Sequence, residues 1–262
     1  MTVPPMFCMI RAMQTSMTFA VDNRLPEILE RMRALYPARP ARLTDPLSQL
    51  VFSVVAEGAA PAVGLAVYNR LRATFPRWSD LRDAPEEKVS RVLVGVPGGT
   101  EKAKALPAIM RRIEDERGAI DLDFLQRLGT EAAARWLETL PGVNASIAAA
   151  TLSFSDLRRP VLAIGKEGAR PIRRLGLAGP SAALSALPRH VAEKAPSSWR
   201  AEDFADLGRG LARLGRTVCG EGRPDCKACP LKDLCPSANR QAAEVVAFPG
   251  VGKRAVKSAR SA

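Results

Sequence analysis

The sequence lacks several features that define large classes of protein. No apolar run is long enough to span a bilayer, which excludes a transmembrane protein. No segment alternates apolar and polar residues as a half-buried strand does, and no fixed-period repeat is visible. The single histidine, His190, is expected at the surface or in a helix cap, so a Ser-His-Asp triad has no support.

The composition is that of a globular protein with an excess of positive charge. The 262 residues are 47% hydrophobic, which excludes a disordered chain. They carry 39 Lys and Arg against 27 Asp and Glu, a formal net charge of +12. This balance predicts a partner with many negative charges, nucleic acid first and an anionic membrane surface second, although solubility alone is a simpler explanation.

The two ends of the chain differ from its middle. Residues 1–22 are rich in methionine without clear periodicity and are interpreted as an N-terminal extension. They lack a signal-peptide pattern, so we expect a cytoplasmic, nucleoid-associated protein. Residues 241–262 are interpreted as a basic tail, in which the last basic residues are Lys253, Arg254, Lys257 and Arg260.

Helical spacing of apolar residues dominates the chain and predicts an all-α fold. Gly118 is expected to end one helix, and Thr130 to cap the next. Three tryptophans, Trp78, Trp136 and Trp199, are expected in the core. The predicted helices cover residues 25–35, 47–55, 56–71, 78–94 (as a pair), 101–117, 122–128, 130–140, 145–154, 170–177, 182–193 and 201–218.

Four of the five cysteines lie within 17 residues, with the spacing C-x6-C-x2-C-x5-C. Short loops between them would return each sulfur to one point, as a metal centre requires. Four thiolates suit structural zinc, although zinc ribbons usually contain two C-x2-C turns, and they also suit a [4Fe–4S] cluster. The chemistry favours iron–sulfur modestly over zinc. Cys8 is distant and is interpreted as an incidental thiol.

This cysteine pattern, directly after the segment LGRTVC that ends at Cys219, resembles the iron–sulfur loop of the endonuclease III family of DNA glycosylases. The segment LPGV at residues 140–143 is similar to the hairpin of the helix-hairpin-helix motif in the same superfamily. The resemblance covers about residues 25–236. It implies a two-lobed all-α fold with a C-terminal [4Fe–4S] loop whose ligands are Cys219, Cys226, Cys229 and Cys235.

The resemblance also implies a division of the chain. Residues 45–157 would form a six-helix barrel that carries the helix-hairpin-helix motif. Residues 23–44 and 158–240 would form the iron–sulfur cluster lobe. The implied partner is double-stranded DNA, damaged or abasic, and we expect a monomer.

The hairpin is the predicted DNA contact. Free backbone N–H groups at the start of the second helix suit a phosphate, although a Pro-Gly corner between two helices is the simpler interpretation. Asn144 replaces the family's second glycine and is expected to tolerate the left-handed region. In the 219–226 loop Arg223 could face a phosphate. The predicted DNA-binding residues are Leu140, Pro141, Gly142, Val143, Asn144 and Arg223.

The positions at which the family carries its catalytic groups hold other residues here. The family pattern LPGVGRKTA aligns with residues 140–148, so the lysine position holds Ser146. The pattern VDxHxxR aligns with residues 164–170, so the aspartate position holds Gly165 and the histidine position Glu167. The glutamine that wedges into the duplex corresponds to Gly58.

The resemblance and these replacements support three hypotheses. The leading one is an iron–sulfur DNA-binding protein of base-excision-repair type that lacks the usual glycosylase and lyase catalysis. The second is an active monofunctional glycosylase with a rearranged pocket, in which Glu57, Glu167 or Lys166 substitutes, although all three are more simply solvated charges. The third is a redox-responsive regulatory DNA-binding protein.

Overall fold

The structure is a computed structural model that describes residues 22–37 and 45–238. Within these residues the elements are eleven α-helices and two short 3-10 helices, which confirms the predicted all-α fold. The α-helices are α1 Arg24–Leu35, α2 Pro46–Ala56, α3 Pro61–Thr74, α4 Trp78–Arg82, α5 Glu86–Val92, α6 Gly99–Arg117, α7 Thr130–Glu138, α8 Ala145–Phe154, α9 Lys166–Arg174, α10 Leu187–Ala192 and α11 Ala201–Thr217. The 3-10 helices are Asp123–Arg127 and Leu184–Ala186.

Local sequence signals set several helix ends. The Asp45 side chain accepts a hydrogen bond from the Ser48 N–H at 2.8 Å, and Pro46 follows at the first helical position. Gly118 ends α6 in the left-handed conformation, as expected. Two expectations were wrong. Gly129, not Thr130, is the N-cap of α7, and α9 begins at Lys166 rather than at Arg170.

Buried apolar side chains form two separate clusters. The first draws on residues 47–152, and therefore on helices α2 to α8. The second combines α1 with α9 to α11 and includes Cys219 and Cys235. The three tryptophans are partly buried against these clusters, Trp78 and Trp136 on the first and Trp199 on the second. No helix among the described residues is both long and apolar enough to cross a membrane.

Three glycines let α11 pack closely against α9 and against the segment that precedes it. A Cβ atom at Gly208 would lie 2.8 Å from the Ala163 carbonyl oxygen, and one at Gly215 would overlap the Glu167 carbonyl oxygen. Gly168 on α9 faces the backbone of Ala212 in the same contact. The backbones therefore touch, and this contact sets the position of α9.

Gly215→Ala should destabilise the protein through this contact. Alanine is favoured over glycine in a helix by about 1 kcal/mol, but the overlap with the backbone cannot be relieved by a side-chain rotation. We expect a net loss of about 2 kcal/mol in the free energy of unfolding, measured by urea denaturation. Gly179→Ala, where the new Cβ meets nothing within 4 Å, is the control. Equal stability of the two variants would contradict the close packing.

Candidate functional site

The segment between α7 and α8 is a tight hairpin. Leu140 and Val143 are buried, and the Val143 N–H donates to the Leu140 carbonyl at 3.2 Å. Gly142 lies between them with φ of +71°, a conformation that favours glycine. A Cβ at Gly142 would be 3.2 Å from the Ala105 Cβ, so the hairpin lies against α6. Pro141 and Gly142 are exposed at its tip.

Asn144 does not occupy the left-handed region, which corrects the expectation for this residue. Its φ is −101°, and its Oδ1 accepts from the Ile147 N–H at 3.0 Å as the N-cap of α8. Gly142 alone supplies the left-handed conformation of the hairpin. Within the described residues, no partner takes the N–H groups of Ala145 and Ser146. These two donors stand at the positive end of α8, where an anion is favoured.

Ser146 and Gly165 lie at the starts of two successive helices. Ser146 is the half-buried second residue of α8, and Gly165 is the N-cap of α9. Lys166 is exposed, whereas Glu167 is half-buried. A Cβ at Gly165 would meet the Glu167 Oε2 at 3.4 Å. The Glu167 carboxylate thus folds back to the place that a side chain at position 165 would enter.

Glu57 and Gly58 follow α2, next to a second loop. The exposed Glu57 carboxylate interacts electrostatically with the Lys102 ammonium group, and the Glu57 main-chain carbonyl accepts from the Lys102 Nζ at 2.7 Å. Lys102 also donates to the Val55 carbonyl at 3.0 Å, and burial lowers the pKa of its ammonium group. A Cβ at Gly58 would lie 3.7 Å from the Pro97 Cβ. The loops after α2 and after α5 are therefore neighbours.

The loop after α5 has an apolar tip that the sequence reasoning missed. Val94 is 68% exposed, which makes it the most exposed large apolar residue in the described part of the chain. The Arg70 guanidinium holds the loop by donating to the carbonyls of Val92 and Val94 at 2.5–2.8 Å. Val94 ends the apolar run of residues 92–94 before Gly95, and periodicity does not separate it from core residues.

The four clustered cysteines line one small, solvent-open pocket between α9 and the C-terminal loops. All four are free thiols; Cys219 and Cys235 are buried, and Cys226 and Cys229 are half-buried. Burial, reinforced by the neighbouring cysteines, raises the pKa of the Cys226 and Cys229 thiols. Among the described residues, no three His, Cys, Asp or Glu side chains are arranged to hold one metal ion. Cys8 lies outside the described residues, as do nearly all of the predicted N-terminal extension and the whole basic tail.

Arginines connect the cysteine loops to the helices around them. Arg170 donates to the carbonyls of Gly215 and Cys219, and Arg174 donates to the Cys219 sulfur at 3.2 Å. On α1, Arg24 donates to the Leu234 carbonyl, and Arg31 to Asp233 and the Pro230 carbonyl. The bidentate Arg31 pair lowers the pKa of Asp233 to about 2. Arg223 is exposed in the 219–226 loop, with Glu221 and Asp225 as its acidic neighbours.

His190 lies on α10 with its ring half-exposed. Its Nδ1 is 4.0 Å from a Glu193 carboxylate oxygen, one turn further along the chain. This agrees with a surface role. The described hydrogen bonds and ion pairs of the ring include no serine hydroxyl.

Comparison with known proteins relates the chain to DNA glycosylases at low identity. No protein-family model matches it. Endonuclease III of Synechocystis is 25% identical over 221 residues, which are 82% of this chain and 93% of that protein. A putative DNA glycosylase of Arabidopsis thaliana is 23% identical over 152 residues, 58% of this chain. The aligned part spans about half, 51%, of that plant protein.

The fold has a close match among solved structures. The chain superimposes on a trapped covalent intermediate of endonuclease III with DNA with a TM-score of 0.69. The match covers 84% of this chain and 97% of that chain, at 18% identity. Distant sequence similarity and a shared all-α fold therefore agree.

Proposed function

We propose that this chain, a distant homologue of endonuclease III with the all-α fold of helix-hairpin-helix DNA glycosylases, binds duplex DNA in base excision repair. It holds a [4Fe–4S] cluster and lacks the amine-dependent lyase chemistry of its relatives. The hairpin carries the proposal. Its tip is exposed, and the two unpaired N–H groups of Ala145 and Ser146 follow it at the positive end of α8.

A DNA phosphate suits these donors better than a neutral ligand does. Backbone N–H groups and the helix dipole both favour an anion, and such contacts position a protein on DNA without reading its sequence. Lys104 is exposed on α6, one residue before the Ala105 that touches the hairpin. Its salt bridge to Glu86 is long, at 3.8 Å, so its ammonium group remains available to a neighbouring phosphate.

Gly142→Ala should weaken duplex binding about tenfold or more at low salt. Alanine at φ +71° costs about 1–2 kcal/mol and would press on Ala105, so the hairpin would have to move. Fluorescence anisotropy with a labelled duplex over a salt series is the measurement, and wild-type affinity should fall steeply with salt.

Gly118→Ala is the matched control for this experiment. Gly118 has a similar φ of +77°, but a Cβ there meets nothing within 4 Å. It ends α6, thirteen residues after Ala105. The control carries the same backbone strain away from the hairpin and should keep wild-type affinity. Equal losses in both variants, or binding independent of salt, would contradict the phosphate contact.

The cysteine pocket supports a cluster rather than a zinc ion. Four thiolates about 2.3 Å from one zinc ion would stand close together. The described cysteines share a pocket, but no three of them are placed to hold a single ion. A four-iron cluster presents one iron to each sulfur and so accepts wider spacing. When bound, the cluster would supply a rigid covalent centre that joins Cys219, Cys226, Cys229 and Cys235.

Protein purified without oxygen should contain about four iron and four sulfide per chain if all four cysteines ligate one cubic cluster. Iron, inorganic sulfide and zinc are assayed together. Cys226→Ser should lose iron, whereas the matched variant Ser237→Ala, beside the same pocket, should retain it. Stoichiometric zinc without iron would contradict the cluster.

The replaced positions support the loss of lyase chemistry. A serine hydroxyl at position 146 cannot form the Schiff base that an amine forms with an abasic sugar. Lys166 is the amine next to Gly165 in sequence, but it is exposed, and among the described residues it makes no hydrogen bond or ion pair with the hairpin. Binding without strand cleavage follows from this arrangement.

The geometry of Gly165 and Glu167 favours one second candidate, a monofunctional glycosylase. The Glu167 carboxylate reaches the space beside Gly165, where the family carries its aspartate. It lies at the positive end of α9, which stabilises an anion there. A carboxylate in that place could activate water for base release without forming a covalent bond to the sugar.

Glu167→Gln separates the two candidates. Wild type and variant are incubated with duplexes that contain oxidised, deaminated, mismatched or abasic sites. A monofunctional enzyme should release a base and lose about 100-fold or more in rate in the variant. Glu57→Gln tests the other candidate carboxylate, which is exposed on a different loop and should leave the rate unchanged if Glu167 carries the reaction. No release by wild type would leave the non-catalytic binder. Full activity of Glu167→Gln would instead show an active glycosylase in which another group, such as Glu57, carries the reaction.

A further inference from the structure

We infer that Arg174 sets the reduction potential of the cluster by donating a hydrogen bond to the sulfur of Cys219. The inference rests on the proposed cluster and adds to it a residue outside the ligand set. Arg174 is the last residue of α9 and is half-buried beside the cysteine pocket. It acts through Cys219 and is therefore a positioning and tuning residue.

The contacts of Arg174 surround one ligand. Its Nη1 donates to the Cys219 Sγ at 3.2 Å and to the Gly220 carbonyl at 2.8 Å. Its Nη2 donates to the Glu221 carbonyl at 3.4 Å. The guanidinium thus holds both the first cysteine and the turn that follows it. The planar guanidinium carries several N–H donors and can make these hydrogen bonds together, whereas a lysine ammonium group could make only some of them.

The backbone of the same residue reaches the last ligand. The Arg174 carbonyl accepts from the Ser237 Oγ at 2.9 Å and from the Cys235 Sγ at 3.3 Å. A ligating thiolate has no proton to donate, so in the loaded protein Ser237 would keep this carbonyl occupied. Arg174 therefore lies between the first and the last cysteine of the cluster.

The direction of the effect follows from charge. The guanidinium carries a permanent positive charge, and its N–H···S bond withdraws electron density from the Cys219 thiolate. Both features stabilise the cluster more when it has gained an electron than when it has lost one. Hydrogen bonds to the ligating sulfurs are among the factors that set cluster potentials. Arg174 should accordingly raise the reduction potential.

Neighbouring arginines on the same helix provide a built-in comparison. Arg173 donates to the Ala182 carbonyl at 2.8 Å and has no cysteine contact in the described hydrogen bonds. Arg170 donates to the carbonyl oxygen of Cys219 at 3.3 Å, and its described hydrogen bonds do not include the Cys219 sulfur. Arg173→Gln removes the same charge from α9 without touching a sulfur.

The test is a spectroelectrochemical titration of anaerobically purified, cluster-loaded protein, with Arg174→Gln, Arg174→Lys and Arg173→Gln beside wild type. The mediators supply or take one electron per cluster, and no ligand bond forms or breaks. At a fixed potential, Arg174→Gln should show about a tenfold larger ratio of oxidised to reduced cluster, which for one electron is a midpoint about 59 mV lower. Arg174→Lys should recover part of this change, and Arg173→Gln should change it little.

Two readouts keep the outcome decisive. Wild type without iron would overturn the proposed cluster, whereas iron-loaded variants with unchanged midpoints would overturn only the role of Arg174. Equal shifts in Arg173→Gln and Arg174→Gln would assign the effect to net charge and also overturn it. If Arg174→Gln holds no iron, resonance Raman of wild type and Arg174→Lys in H₂O and D₂O decides. The iron–thiolate stretch should shift on exchange in wild type and shift less in Arg174→Lys, and equal shifts would refute the hydrogen bond.

Discussion

The direct backbone contact between α9 and α11 is the constraint on which both parts of the candidate site depend. Gly215 lets the two helices touch at the Glu167 carbonyl, and Gly208 lets α11 approach the Ala163 carbonyl just before α9. Nine residues of helix span about 13 Å, so α9 is a short connection. Its first turn places Gly165 and Glu167, and its last residue places Arg174 against Cys219. A displacement of α9 would therefore move Gly165 and Glu167 at its start and Arg174, with its contact to Cys219, at its end.

The net charge of +12 overstates the number of basic side chains that are available to bind DNA. Several arginines are committed to carbonyl oxygens of their own chain. Arg159 donates to three carbonyls of the segment that ends at Leu128, and Arg70 holds the loop with Val94. On α11, Arg209 is paired with Asp206. The backbone donors at the start of α8 are few, but they are unpaired within the described residues, and this makes the hairpin the stronger argument for a phosphate contact.

Local signals were sufficient to predict much of the fold. Apolar spacing predicted the all-α class, and Gly118 marked the end of α6 as expected. The cysteine spacing predicted that four sulfurs return to one point; the four thiols line one pocket, but no three of the described cysteines are placed to hold a single ion. The prediction for Asn144 was wrong because asparagine favours both the left-handed region and the N-cap position. Gly142 supplies the left-handed turn, so Asn144 caps α8 by accepting from the Ile147 N–H. The expectation was reasonable from residue type alone.

Other features depend on contacts between distant residues, and so the sequence could not predict them. The bond from Arg174 to Cys219 joins residues 45 positions apart, and Lys102 reaches the end of α2 across a similar distance. The return of Glu167 toward Gly165 depends on a side-chain direction that periodicity does not encode. Division into two lobes stays a proposal, which the two apolar clusters support.

The arginines of α1 have a consequence for the order in which the chain can assemble during synthesis. Arg24 and Arg31 reach partners 199 to 210 positions later, in the segment around Pro230 and Leu234. The first apolar cluster uses a continuous stretch of chain and can close as soon as that stretch has left the ribosome. Helix α1 is made first but must wait for the last cysteine loop. Until translation is nearly complete its apolar face is exposed, and we expect a chaperone to bind it during that time.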